Sequence, residues 1–151
     1  MSEPLSNEAI VEAYAVACGG NDLEAMQRLR HPDWYVEWPQ SGEVVRGHES
    51  FAAIADNYPG GPPRVELQRL SGSEDRWVVT PGNTVLRVAG TGDFWCGEWR
   101  MTYPDGQTYH VVDLIELRDG QVYRERVYWA TPFEAPDWRR PYVELPADTP
   151  G

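Results

Sequence analysis

The sequence predicts an α+β fold: a cone-shaped, strongly curved antiparallel β-sheet wrapped around about three N-terminal helices and enclosing a pocket. Three observations predict it. Helix-period apolar stripes with capping residues fill the stretch before Pro59. Beyond Pro63 the chain reads as strand after strand, joined by tight-turn signals. No helix pattern returns between those strands, which argues against a parallel βαβ plan. A sheet of this kind curls over its helices and leaves one open end, where pockets commonly form.

Each element has its own signal. Ser6 can cap a first helix, and Leu5 with Ile10 has the spacing of a hydrophobic staple. Ile10, Ala13, Tyr14, Ala17 and Cys18 recur on one buried stripe, and Gly19-Gly20 stops the helix. A capping Asn21 with Glu24 three residues later starts a short second helix carrying Leu23, Met26 and Leu29, which runs out at His31-Pro32. Trp34-Tyr35-Val36-Glu37-Trp38 alternates as a strand. With period two, Trp34 and Trp38 face together and Tyr35 faces away with Glu37. Pro39 to Gly42 is a turn and Val44-Val45 a short return strand. A third helix follows Gly47 with Phe51, Ile54, Ala55 and Tyr58 on one face, and Pro59-Gly60-Gly61-Pro62-Pro63 ends it. The expected strands are then Arg64–Leu70, Trp77–Thr80 with Thr84–Ala89, Phe94–Tyr103, Thr108–Leu117 and Gln121–Trp129. Gly90-Thr91-Gly92 reads as a turn, and Pro104-Asp105-Gly106 and Asp119-Gly120 read as hairpin turns, the second with the stronger signal. The tail from Pro132 holds five prolines and is expected to lie extended over the surface through Phe133, Trp138 and Tyr142.

The chain has 151 residues, which suits a single domain, with its core expected over 5–130 and a Pro-rich tail over 131–151. Its formal net charge of −11 argues against nucleic acid and anionic membranes as partners. No apolar run approaches the roughly 20 residues that span a bilayer, and no secretory signal opens the chain, so a soluble cytoplasmic protein is expected. All 13 basic residues are Arg. Without Lys there is no Schiff base, no covalent pyridoxal phosphate and no P-loop lysine. The same composition suggests a GC-rich bacterial genome. Cys18 and Cys96 are too few and too far apart for a zinc knuckle or a disulfide framework and read as buried thiols.

In this order of elements the sequence resembles the SnoaL-like polyketide cyclases and ketosteroid isomerases of the nuclear-transport-factor-2-like superfamily. The resemblance covers roughly residues 5 to 130. It rests on the helix Val11 to Ala17 leading into Gly20-Asn21-Asp22-Leu23-Glu24, on His31 to Pro39, on Val45-Arg46-Gly47, and on the hairpin Val112 to Val122. Resemblance to ketosteroid isomerase implies two oxyanion-hole residues, Tyr14 and Asp113, the second a carboxylic acid kept neutral by an apolar site. That family's general-base aspartate would fall at Trp38, which has no basic site. The resemblance also implies a homodimer formed through the sheet, and no cofactor.

The residues themselves leave several readings open. Asp113 lies between Val111-Val112 and Leu114-Ile115, so it is either a desolvated acid/base group or a bulge residue bonded to backbone. Tyr14 is a pocket hydroxyl or an ordinary buried aromatic. Glu125 shares a face with Val127 and Trp129, while Arg124, Arg126 and Tyr128 occupy the other. That turns it inward, as a base in place of the one lost at Trp38, unless it merely pairs with an Arg. His110 is a possible proton shuttle, though only a bulge would bring it beside Asp113. Trp34, Trp38, Tyr58 and Trp129 are the expected walls for a small apolar or aromatic ligand. Glu98 and Arg100 share a face and read as a surface ion pair; limonene-epoxide-hydrolase-like relatives would need Asp where Thr102 stands. His31 and His48 read as structural or solvated, and no histidine pair has metal-ligand spacing. The function expected is a cofactor-free isomerase, aldol-type cyclase or dehydratase for a small apolar or polycyclic carbonyl compound, or else a carrier of such a molecule.

Overall fold

The computed structural model describes residues 3–79, 81–82 and 85–145, with the account of 73–79 and 85–91 confined to their backbone. The expected strand ends Thr80 and Thr84 lie outside the described residues. Helix α1 spans Asn7–Gly19, and the Ser6 hydroxyl accepts from the Ala9 N–H at 3.2 Å as its cap. Helix α2, Leu23–Leu29, is capped by Asp22 rather than Asn21: Asp22 Oδ1 accepts from the Ala25 N–H at 2.9 Å. Asn21 instead takes the left-handed turn between the helices, with φ of 51°.

Strand β1, Arg30–Trp38, starts directly at the end of α2, four residues before the expected Trp34. Pro32 is tolerated because pairing with β6 is interrupted between Arg30 and Tyr35, so its missing N–H removes no ladder bond. Strand β2, Glu43–Arg46, folds back on β1, and α3, His48–Asp56, follows, with Tyr58 just past its end. Strands β3, Arg64–Val79, and β4, Val85–Thr102, form one long hairpin. Gly90-Thr91-Gly92 is therefore no turn. Between the pairs Ser73–Phe94 and Asp75–Ala89 the longer β4 side bulges, and Gly92 absorbs it with φ of 75°. Strands β5, Thr108–Arg118, and β6, Gln121–Ala130, meet at Asp119-Gly120. Both turn residues have positive φ (53° and 71°), as a hairpin turn matched to the strand twist requires.

The strands lie in the order β2-β1-β6-β5-β4-β3 in one open sheet. The sheet is mixed, not antiparallel throughout: β1 runs parallel to β6. No hairpin joins those two strands, since α3 and four strands intervene, so nothing local fixes their relative direction. The helices pack on the concave face around Val11, Tyr14, Met26, Trp34 and Ile115. The tail does not pack as expected. Asp137–Tyr142 is a 3₁₀ turn, and Phe133, Trp138 and Tyr142 are 83%, 73% and 83% exposed. Its prolines deny it a ladder to join.

Candidate functional site

A cavity of about 440 Å³ opens between the concave face of the sheet and the helices, a size suited to a small organic ligand. Period two builds its walls. Arg30, Trp34, Val36 and Trp38 enter from β1, Val111 and Asp113 from β5, and Glu125, Val127 and Trp129 from β6. Tyr14 and Cys18 come from α1, Phe51 and Ile54 from α3, and Tyr58 from the segment after it.

At the closed end, five polar side chains form one connected group. Glu125 is 4% exposed, and its Oε2 accepts from the Tyr14 hydroxyl and from Trp34 Nε1, each at 2.8 Å. Arg30, 5% exposed, donates from Nε to the Tyr14 oxygen at 2.9 Å. Its guanidinium also lies over the Trp34 ring at 3.6 Å and the Phe51 ring at 4.3 Å, so aromatic faces replace part of its lost hydration. Arg30 Nη1 meets His48 Nδ1 at 2.9 Å. Because Arg only donates, His48 accepts there as the neutral ring. Burial first, and then the Arg30 charge, hold the His48 pKa below its ordinary value.

Asp113 is 8% exposed and stands beside Glu125. Burial pushes its carboxyl well above the usual carboxylate range, and the Glu125 charge and a hydrogen bond shared with Glu125 add to the rise. Asp113 is thus the member of the pair pushed toward its protonated form, while Glu125 takes the donors. Asp113 Oδ1 is buried and has no partner among the described residues. Tyr14 keeps its proton for the same first reason, burial, with the Glu125 charge second. Burial also raises the Cys18 thiol, which leaves it a neutral lining group.

The structure brings Asp113, Tyr14, Glu125, Trp34, Trp38, Tyr58 and Trp129 to one cavity. Tyr14, however, spends its hydrogen on Glu125 rather than offering it to a ligand. His110 is excluded from this site. It pairs with Arg100 and Ala130 in regular register, and the irregularity of β5 falls at Glu116/Leu117, so no bulge turns it inward. It is exposed on the convex face. Glu98 meets Arg69 across the strands at 3.9 Å on that same face. Arg30 and His48 were not among the candidates. Arg30 is in phase with Trp34 and Trp38, a signal visible once β1 is extended back to residue 30. His48 carries no comparable signal.

Among the described residues, no group of three or more His, Cys, Asp or Glu is placed to hold a metal ion, and no helix is long and apolar enough to cross a membrane. The family model of the SnoaL-like domain matches residues 11–125, the span that contributes every member of the polar group. The chain belongs to the SnoaL-like domain family. Solved structures agree with this SnoaL-like assignment. A nuclear-transport-factor-2-like protein of unknown function from Burkholderia xenovorans LB400 shares 27% identity over 92% of this chain and 94% of its own, with a TM-score of 0.70. A protein from Kribbella flavida DSM 17836 described as a candidate ketosteroid isomerase shares 24% over 94% and 91%, also at 0.70. An epoxide hydrolase of limonene-epoxide-hydrolase type from M. tuberculosis shares 17% over 80% and 79%, at 0.56, a likeness of fold alone. No curated protein matches the chain significantly.

Proposed function

We propose that this SnoaL-like chain is a cofactor-free acid/base catalyst of the isomerase, aldol-type cyclase or dehydratase kind, acting on a small, apolar or polycyclic carbonyl compound. The observation that carries the reading is the buried Asp113–Glu125 pair in a mainly apolar cavity. One carboxyl is pushed by burial toward its protonated form, and the other is held by Tyr14 and Trp34. Such a pair can move a proton in one step. The hydrogen α to the substrate carbonyl passes to one Asp113 oxygen while the proton on the other passes to Glu125. The C–H electron pair stays on the substrate as its enolate. Return of the proton at another carbon completes an isomerisation with no oxidant or reductant. Arg30 offsets the Glu125 charge, and His48 holds Arg30 in place.

The test is hydrogen–deuterium exchange at the α-carbons of β-tetralone in heavy water, with binding followed by tryptophan fluorescence. Exchange above the buffer rate, reduced at least about 100-fold by Asp113→Asn with binding retained, is the expected result. Binding without exchange would reject catalysis and favour the second reading, a carrier. The internal use of the Tyr14 hydroxyl favours that reading.

We further propose that two copies associate through the convex face of the sheet. Val112 and Tyr128 lie directly opposite one another there and are each 37% exposed. Both cysteines are unpaired, which fits the reducing cytoplasm as the site of action.

A further inference from the structure

Resting on the acid/base reading, we propose that Arg30 is the oxyanion-holding residue of this cavity: its Nη2 donates to the substrate's carbonyl oxygen as that oxygen takes up negative charge. The observation behind it is a buried cation with no anion in contact. Arg30 is 5% exposed. Among the described residues its guanidinium bonds only Tyr14, through Nε at 2.9 Å, and His48, through Nη1 at 2.9 Å. Both partners are neutral, and Glu125 stands one residue further on, behind the Tyr14 hydroxyl. A buried arginine is ordinarily paired with an anion, because aromatic faces replace only part of its lost hydration.

Nη2 is the corner of that guanidinium left over. It takes part in neither bond, and it is not one of the closed-off, unpartnered atoms of the described residues, which are Asp113 Oδ1, Trp129 Nε1 and Arg139 Nε. Arg30 lines the cavity, and so do Trp34 and Phe51, whose rings hold the guanidinium at 3.6 and 4.3 Å. Nε and Nη2 share one edge of the planar fork and point the same way. An acceptor on Nη2 therefore sits beside the Tyr14 oxygen, next to the carboxyl pair. The Tyr14 hydroxyl spends its hydrogen on Glu125 and leaves the role of donor to Arg30. Held by two rings and two hydrogen bonds, that donor is preorganised, which is what stabilisation of a developing oxyanion requires.

The charge balance fits the proposed step. Before it, Arg30 is positive, Glu125 negative and the substrate neutral. As the α C–H bond breaks, its proton passes to Asp113 and the Asp113 proton to Glu125, while the C–H electron pair moves into the carbonyl as the enolate. Negative charge thus leaves Glu125 and appears on the substrate oxygen, and Arg30 borders both places. The floor of the cavity stays neutral overall, so no bare charge is created in a space of low dielectric constant. A permanent carboxylate has no proton to give the pair. Glu125 would stay charged beside it, in a chain already at −11. The substrate class is therefore a neutral carbonyl compound that becomes anionic only in place.

The test uses 4-nitrophenol, whose phenolate imitates the enolate oxygen and absorbs in the visible, about two pH units below its own pKa. Only about one molecule in a hundred is ionised in water there. Wild type should bind it as the phenolate, with its proton held by the carboxyl pair, and binding as the neutral phenol overturns the proposal. That reading needs no variant, so it stands even if a substitution at this buried site prevents folding. Arg30→Met keeps the bulk without the charge, a replacement that buried ionic groups commonly tolerate, and Arg30→Lys keeps a charge. In Arg30→Met the ratio of ionised to neutral bound phenol and the α-exchange of β-tetralone should each fall about ten- to a hundredfold, the worth of one hydrogen bond to a charged group. Both should fall less in Arg30→Lys. Equal losses in the two variants would mean a packing role and overturn the proposal, as would tighter binding of 4-nitrobenzoate than of 4-nitrophenol by wild type. The two proposals fail separately. Exchange that depends on Asp113 but not on Arg30 leaves acid/base catalysis standing and removes Arg30 from it. Arg30-dependent phenolate binding without exchange does the reverse.

Discussion

Two buried carboxyls on one cavity wall cannot both hold a full charge cheaply, and the donors decide which one does. Glu125 collects the Tyr14 hydroxyl and the Trp34 indole; Asp113 keeps the proton. The folded state therefore binds a proton at Asp113 that the unfolded chain releases near its ordinary value of 3.8. Between that value and the raised folded value the native state holds more protons than the unfolded one, so this group makes stability fall as pH rises. Asp113→Asn removes the liability. Thermal melts from pH 4 upward should show the variant gaining on wild type as pH increases, and a constant difference across the series would contradict a raised Asp113. At this scale the sequence was informative where period two could be applied. Arg124 and Arg126 on one face of β6 turned Glu125 to the other, and both arginines now bond Glu37 on the convex side at 2.9 Å. It was silent about Arg30, because a helix running out at His31 hid that residue's phase with Trp34. It was also silent about His48, whose partner lies on another element. That Tyr14 would spend its hydrogen on Glu125 depends on a contact 111 residues away along the chain.

Among the elements, the long β3–β4 hairpin depends on one close approach. Gly72 faces Trp95 across the ladder, and a Cβ there would sit 2.1 Å from the indole Cζ3. The ring has little freedom to move, since Trp95 Nε1 donates to the Gly92 carbonyl at 2.6 Å and its side chain packs against the core. Gly72→Ala should cost about 1–3 kcal/mol, as overpacking does, and lower the urea midpoint. An unchanged midpoint would mean that the ring swings aside freely. The hairpin as a unit was not legible from its residues. Gly90-Thr91-Gly92 carries every local sign of a turn, and only the pairing of both flanks with β3 makes it a bulge. The tight turn at Asp119-Gly120 was legible, because both positions need positive φ and these residue types tolerate it.

For the whole molecule, the mixed sheet divides the surface into two. The concave side encloses the cavity, and the convex side carries the ion-pair cluster of Glu37, Arg124 and Arg126 beside the Val112–Tyr128 patch. If two chains meet there, sedimentation at micromolar concentration gives twice the chain mass. Val112→Asp then buries an unpaired charge in the contact, costing at least about 2 kcal/mol and weakening association roughly thirtyfold or more. β-Tetralone binding should survive that substitution, since Val112 faces away from the cavity. A chain that sediments as a monomer at that concentration rules the contact out.

What the sequence determined by itself was whatever is written in local periodicity and turn chemistry: the three helices ahead of the long run of strands, the inward face of β6, the aromatic wall of β1, the exclusion of lysine chemistry. Each follows from the regular alternation of side chains along a strand or helix, which needs no partner to be read. Tertiary structure decided the rest. The parallel β1–β6 pairing, the Arg30–Tyr14–Glu125 connection and the unpartnered Trp129 N–H all depend on which distant segments meet. A buried polar group is defined by the partner it finds or lacks, and that partner is set by the closure of the sheet rather than by neighbours in the chain.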